Sequence, residues 1–282
     1  MNAVLLISII IGVAVQNIVK KPYTEKTAGG GAYFFSAAMG LFAMLFFLFT
    51  STGLEWNGGI VLYSAGFALS YMLCTVASVI ATGCGSLSLT ALIISYSLMI
   101  PAFYGLIFNK DSVSAGFIPG IILLAVSLFL INKKEPEKKF GLKWIISVLL
   151  AFAGNGMCSV VQNMQQKAFD GAYKNEFMIV ALLIVTVFSL VMFLIKERND
   201  TKLYFRAGIL PAFICGVMNG MVNLFVMLLS GKMALSLMFP LISSGGIIIT
   251  FFVSTLFYKE KFTKAQLIGF IAGVASVVFL NI

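Results

Sequence analysis

The sequence predicts an all-α membrane protein with ten transmembrane helices arranged as two inverted five-helix repeats. Three observations carry that expectation. Charged residues are scarce and clustered, polar anchors recur at a nearly constant offset, and basic loops alternate as an odd-numbered duplication requires.

Of 282 residues, 60% are hydrophobic and 10% charged, with 19 Lys plus Arg, 10 Asp plus Glu and no His. Soluble domains carry about 25% charged residues, and a mean hydropathy of +1.04 makes even the surface apolar. Water is not the main solvent. The missing His removes the commonest general base and metal ligand. Cys74, Cys84, Cys158 and Cys215 stand singly in apolar stretches and read as small buried hydrophobes. No metal and no cofactor are expected. An enzyme is disfavoured, because no acid or His clusters within a span.

The uncharged stretches run over 1–19, 27–54, 56–109, 112–132, 144–166, 177–195, 207–231, 233–258 and 265–282. A bilayer core takes about 20 apolar residues of helix. Span 1 fills the first stretch, and with no basic n-region or cleavage site it reads as a retained span, not a signal peptide. Span 2 fills the second stretch. The 56–109 gap holds spans 3 and 4, turned at Gly83-Cys84-Gly85. Spans 5 to 10 fill the six remaining gaps. The runs are continuously apolar, without the period-2 alternation of barrel strands. Tyr33, Trp56 and Trp144 fall at span ends, as interfacial aromatics do. The charged connections are too short for a soluble domain.

Val15-Gln16-Asn17 near the end of span 1 recurs as Val161-Gln162-Asn163 near the end of span 6, at an offset of 146. The segment 108–114 matches 257–263 at an offset of 149, and that offset continues through Gly120 and Gly269, Ser127 and Ser276, and Asn132 and Asn281. The expected organisation is a first repeat over 1–132, a charged linker over 133–143 and a second, inverted repeat over 144–282. Loops after odd-numbered spans carry 15 Lys plus Arg, and those after even-numbered spans carry 4. The positive-inside rule places the 15 in the cytoplasm and both termini outside. In the first half the basic loops follow its spans 1 and 5; in the second half they follow its spans 2 and 4, as inversion demands. The net charge of +9 is explained by orientation and anionic lipid, with no nucleic acid needed.

Two five-helix repeats, each with an acidic turn before a glycine-bearing last helix, resemble the ten-helix EamA-like members of the drug/metabolite transporter superfamily. The residues that carry the resemblance are Tyr258-Lys259-Glu260-Lys261-Phe262-Thr263 with Gly269, and the copy Asn109-Lys110-Asp111 with Gly120. Leu98 and Ile247 stand where such families often carry Pro, with Pro101 and Pro240 nearby. The resemblance implies a multi-pass secondary transporter that alternates access around a central cavity. Relatives are often drawn with cytoplasmic termini, opposite to the charge count. A bacterial inner membrane is the expected location.

No Asp or Glu lies within a span. Small multidrug exporters of the superfamily use a Glu in their first helix; spans 1 and 6 offer Gln16, Asn17, Gln162 and Asn163 instead. An amide does not exchange a proton near neutral pH, which disfavours a proton-coupled exporter of organic cations. Asn219 and Asn223 share one helix face, as do Asn155 and Gln162. Taken singly, such amides read equally as interhelical glue. As a repeat-related set they predict an amide-lined substrate cavity, with Tyr71, Ser95, Tyr96 and Ser244 as further hydrogen-bonding groups. That lining suits a small neutral or zwitterionic amphipathic metabolite, amino acids included. A non-transporting scaffold or accessory subunit is the reading from another class. Gly116 with Gly120, and Gly269 with Gly273, are spaced for close helix packing, within one chain or in a homodimer. Asp111 and Glu260 read as solvated turn acids. The expected partners are a small-molecule substrate and membrane lipid.

Overall fold

The computed structural model describes residues 2–27, 30–84, 93–94, 96–111, 115–131, 141–256 and 263–280. Among these residues there is no strand. The helices are α1 (Asn2–Lys26), α2 (Ala32–Thr50), α3 (Gly59–Cys84), α4 (Met99–Phe108), α5 (Phe117–Ile131), α6 (Leu142–Ala168), α7 (Lys174–Lys196), α8 (Thr201–Ser230), α9 (Leu235–Leu256) and α10 (Lys264–Leu280). A short 3-10 turn, Tyr96–Leu98, leads into α4, and another, Arg198–Asp200, leads into α8. The expected turn at Gly83-Cys84-Gly85 is not seen at its first two residues, because α3 stays helical through Gly83 and Cys84, while Gly85 lies outside the described residues. Of the expected linker over 133–143, residues 133–140 and also Glu260 lie outside the described residues, and Leu142 and Lys143 already belong to α6.

Among the described residues, six segments are long and apolar enough to cross a membrane: Asn2–Lys20, Ala32–Thr50, Gly59–Ser78, Leu142–Ala168, Lys174–Lys196 and Arg198–Ser230. Four more are apolar but shorter: Tyr96–Phe108, Phe117–Ser127, Leu235–Gly246 and Leu267–Ser276. Burial follows the rule for lipid, not for water. On α5 the apolar Ile118, Ile122, Val126 and Phe129 form an outward stripe, each at least 42% exposed, while Ser127 is fully buried. Lipid tails can solvate large aliphatic side chains, whereas a polar group such as Ser127 is kept inside, beside apolar neighbours on the same helix such as fully buried Leu124.

The chain packs as two compact units that interleave the sequence halves. The first holds Met1–Leu69 and Val161–Gly231; the second holds Ser70–Val160 and Lys232–Ile282. Helices α1, α2, α7 and α8 belong to the first and α4, α5, α9 and α10 to the second, while α3 and α6 contribute to both.

In the first unit α2 packs on α7 and α8, and α1 packs on α8. Tyr23, Phe35, Ala212 and Cys215 form a buried cluster that joins α1, α2 and α8. Helix α2 starts from Gly31, whose φ of 72° is left-handed. A Cβ there would also strike the Tyr23 hydroxyl and the Tyr204 ring, so only glycine fits. The first N–H groups of α2 are capped from a distance: Glu197 Oε2 accepts the amides of Tyr33 at 3.0 Å and Phe34 at 3.1 Å.

In the second unit α5 packs on α10, and α9 packs on α4 and α10. Gly116 admits the chain of α10 so closely that a Cβ would meet the Phe279 carbonyl. One turn on, Ser276 donates to the Gly120 carbonyl at 2.8 Å. Gly269 and Gly273 are buried on α10.

Two details depart from the sequence reading. Asp111 is no simply solvated turn acid, because its Oδ2 accepts the Ser236 amide at 3.2 Å and caps the start of α9. Trp144 lies at the start of α6 but is 6% exposed, packed with Ala81 and Val148. Its position suits an interfacial aromatic, and its ring is used for packing instead.

Candidate functional site

Helix α6 carries four amides near its end. Gln162, Asn163, Gln165 and Gln166 point in different directions around the helix, yet none is more than 5% exposed. An amide has two N–H donors and two acceptor lone pairs to satisfy, so each needs partners inside the protein. Gln162 donates through Nε2 to Asn223 Oδ1 at 2.7 Å and touches Met178 Sδ at 3.8 Å. Asn163 donates to Ser230 Oγ at 2.6 Å. Gln165 donates to the Ala172 carbonyl at 3.0 Å, and Gln166 donates to Gln165 Oε1.

The Gln162 contact begins a longer chain. Asn223 donates to Asn219 Oδ1 at 3.0 Å and to the Asn219 carbonyl at 2.8 Å. Asn219 donates to Gln16 Oε1 at 3.4 Å, and Gln16 donates to the Gly12 carbonyl at 3.2 Å. Four amides from α6, α8 and α1 thus form one run, with every N–H aimed in the same direction. The run goes from fully buried Gln162 to half-buried Asn223, Asn219 and Gln16. Such aligned amides polarise one another. Its longest link is Asn219 to Gln16. At its buried end Ser64, also fully buried, donates to the Phe177 carbonyl at 2.9 Å.

Most of the remaining candidates fall in the second unit and are occupied in packing. Asn155 donates to Ser97 Oγ at 2.5 Å and accepts from the Cys74 thiol at 3.9 Å. The Tyr96 hydroxyl donates to the Ala125 carbonyl at 2.7 Å, which ties the 3-10 turn to α5. Ser244 and Ser276 share a hydrogen bond at 3.2 Å. Tyr71 is half-buried on α3, and its carbonyl accepts the Thr75 hydroxyl at 2.9 Å. Ser95 and the side chain of Asn17 lie outside the described residues.

The structure therefore gathers Gln16, Gln162, Asn219 and Asn223 into one run, pairs Asn163 separately, and leaves Asn155, Tyr96 and Ser244 in the other unit. Sequence reasoning missed Gln165 and Glu197. The signal for Gln165 was present, since amides on several faces of one helix segment cannot all face lipid. Elsewhere in the first unit, Thr52, Leu54, Glu55, Tyr173 and Glu176 line a cleft of about 370 Å³, which contains none of the amides in the run. Among the described residues there is no group of His, Cys, Asp and Glu able to hold a metal ion.

No family model matches the chain, and no curated protein matches it. Twenty-nine chains of solved structures match it. One is a crystal structure described only as that of a protein. It superposes with a TM-score of 0.79 over 100% of this chain and 98% of its own, at 10% identity. At that identity the likeness extends to the fold alone.

Proposed function

We propose that the chain is a secondary transporter of a small neutral or zwitterionic amphipathic metabolite, with amino acids as the leading class. In this reading it is a ten-span EamA-like carrier of the drug/metabolite superfamily, built from two inverted five-helix repeats in a bacterial inner membrane. The observation that carries the proposal is the Gln162–Asn223–Asn219–Gln16 run. Buried polar groups in an apolar environment are costly, and a neutral, directional run of them suits a solute that brings both donors and acceptors. None of the four brings a charge, so a multiply charged phosphate would lack a counter-ion there.

Helix pairing supports the repeat. α2 packs on α7, α4 on α9 and α5 on α10, each helix meeting its equivalent five positions later. In the first unit α1 packs on α8. In the second, Gly154 of α6 approaches the backbone of Ser70 and Cys74 on α3, the contact that exchanging the repeats would generate.

The test is flux into proteoliposomes with a panel of amino acids, neutral metabolites and organic cations. Gln162→Ala and Asn219→Ala are expected to cut uptake of the preferred solute by about tenfold or more, as the loss of a buried hydrogen-bonding partner does. Uptake of organic cations alone would favour an exporter of that class. Full rates in both variants would sink the amide site. No flux of any solute would favour a scaffold.

A further inference from the structure

A side-chain amide brings two N–H donors and two acceptor lone pairs, so the way it is turned decides what it can still bind. In the run from Gln162 to Gln16 two backbone carbonyls settle the turning, because a carbonyl only accepts. The Gly12 carbonyl takes Gln16 Nε2 at 3.2 Å, and the Asn219 carbonyl takes Asn223 Nδ2 at 2.8 Å. Asn223 therefore presents Oδ1 to α6, and Gln162 must meet it with Nε2, at 2.7 Å. The second Nε2 contact of Gln162 is Met178 Sδ at 3.8 Å, and the second contact of Asn223 Nδ2 is Asn219 Oδ1 at 3.0 Å. Both amide nitrogens at the buried end are thus engaged twice. Gln162 Oε1 differs: among the described residues it accepts no hydrogen bond, although Gln162 is only 2% exposed. Ser64 of α3 is no substitute donor, since its proton goes to the Phe177 carbonyl at 2.9 Å.

We propose that Gln162 Oε1 is the atom that recognises the donor end of the solute, an ammonium or amide N–H, so that a zwitterion sits nitrogen first and turns its carboxylate away from Gln162. The inference rests on the transport reading and adds a polarity to that site. An unmet acceptor in an apolar interior costs free energy until a donor reaches it. An amide that donates through its N–H becomes a stronger acceptor at its oxygen, and here three further amides extend the polarisation. A carboxylate would find both nitrogens of this end engaged and would face Oε1 oxygen to oxygen.

The test is equilibrium binding to the full chain in lipid nanodiscs, by calorimetry, with solutes that differ at one end only. Leucine is compared with isoamylamine, which lacks the carboxylate, and with isocaproate, which lacks the nitrogen. Phenylalanine is compared likewise with phenethylamine and hydrocinnamate. Each acid is expected to bind about tenfold or more weaker than its amino acid, because it leaves Oε1 unmet, and weaker than the matching amine. In the double variant Gln162→Met/Asn223→Leu, which removes both side-chain oxygens from that end, the preference for amine over acid should disappear. Acids that bind wild type as tightly as the amines would overturn the inference and leave the transport reading standing. That comparison needs no variant, so it holds even where the double variant fails to fold. An undiminished amine preference in a folded double variant would also overturn it, by placing the selectivity elsewhere. Binding of neither the amino acids nor the amines would sink it too, and uptake of nitrogen-free neutral metabolites would then show transport to stand without it.

Discussion

Gln162 on α6 donates its side-chain N–H to the side-chain Oδ1 of Asn223 on α8 at 2.7 Å, with Gln162 only 2% exposed. Gln162→Ala strands that oxygen, at a cost of about 1–3 kcal/mol in stability. A double-mutant cycle with Asn223→Ala, followed by reversible unfolding in micelles, should return a coupling of about 0.6–2 kcal/mol. A coupling of zero would mean that the two amides do not depend on each other.

Gly116 meets the Phe279 carbonyl, and backbone cannot step aside as a flexible side chain does. Gly116→Ala should destabilise the chain by about 1–3 kcal/mol, the usual effect of overpacking. Gly53→Ala, where nothing lies within 4 Å, is the control and should stay within about 0.5 kcal/mol of wild type. Thermal unfolding of both variants in one detergent decides.

Asp111 caps α9 from the α4–α5 connection. Asp111→Ala should cost about 0.5–2 kcal/mol, and Asp111→Asn, which keeps the acceptor, should recover most of it. Equal loss in both variants would assign the effect to charge rather than to the hydrogen bond.

The Tyr23 hydroxyl is buried against the Gly31 carbonyl. Burial first, then the nearby Glu197 and Tyr204, push its ionisation above the ordinary phenol range. Tyr23 should therefore contribute nothing to an alkaline absorbance titration near the ordinary phenol value of about 10, and Tyr23→Phe should leave that part of the curve unchanged. Tyr23→Phe should also cost about 0.5–1.5 kcal/mol in stability for the lost hydrogen bond. A smaller tyrosinate signal near the ordinary value would contradict the burial.

Much of the helical layout was legible because charge is so costly in lipid that its positions mark the helix ends. The Asn219–Asn223 spacing also announced a shared polar face, and the two do bond each other. What the spacing did not reveal was pairing between helices. Gln162 and Asn163 are neighbours in sequence, yet one meets Asn223 and the other Ser230. Side-chain direction on separate helices depends on how those helices pack, which periodicity does not encode. Glu197 was illegible for a different reason. In composition it is one more loop acid, and nothing local indicates that its partners lie 164 and 163 residues earlier. The interleaving of the halves was hidden likewise, since a repeat reveals which helices are related but not which touch.

That interleaving has a consequence for biosynthesis. Gln16 is made among the first residues, and its partner Asn219 follows 203 residues later. At about 5–20 residues per second, Gln16 waits roughly ten to forty seconds in the membrane or its insertion machinery before that partner exists. The first unit is incomplete until Gly231 has been made, and the second needs the last two helices. Ribosomal pausing or truncation anywhere before α8 leaves an amide-bearing α1 with an unfilled polar face. Such nascent chains should be the ones that membrane quality control recognises and degrades.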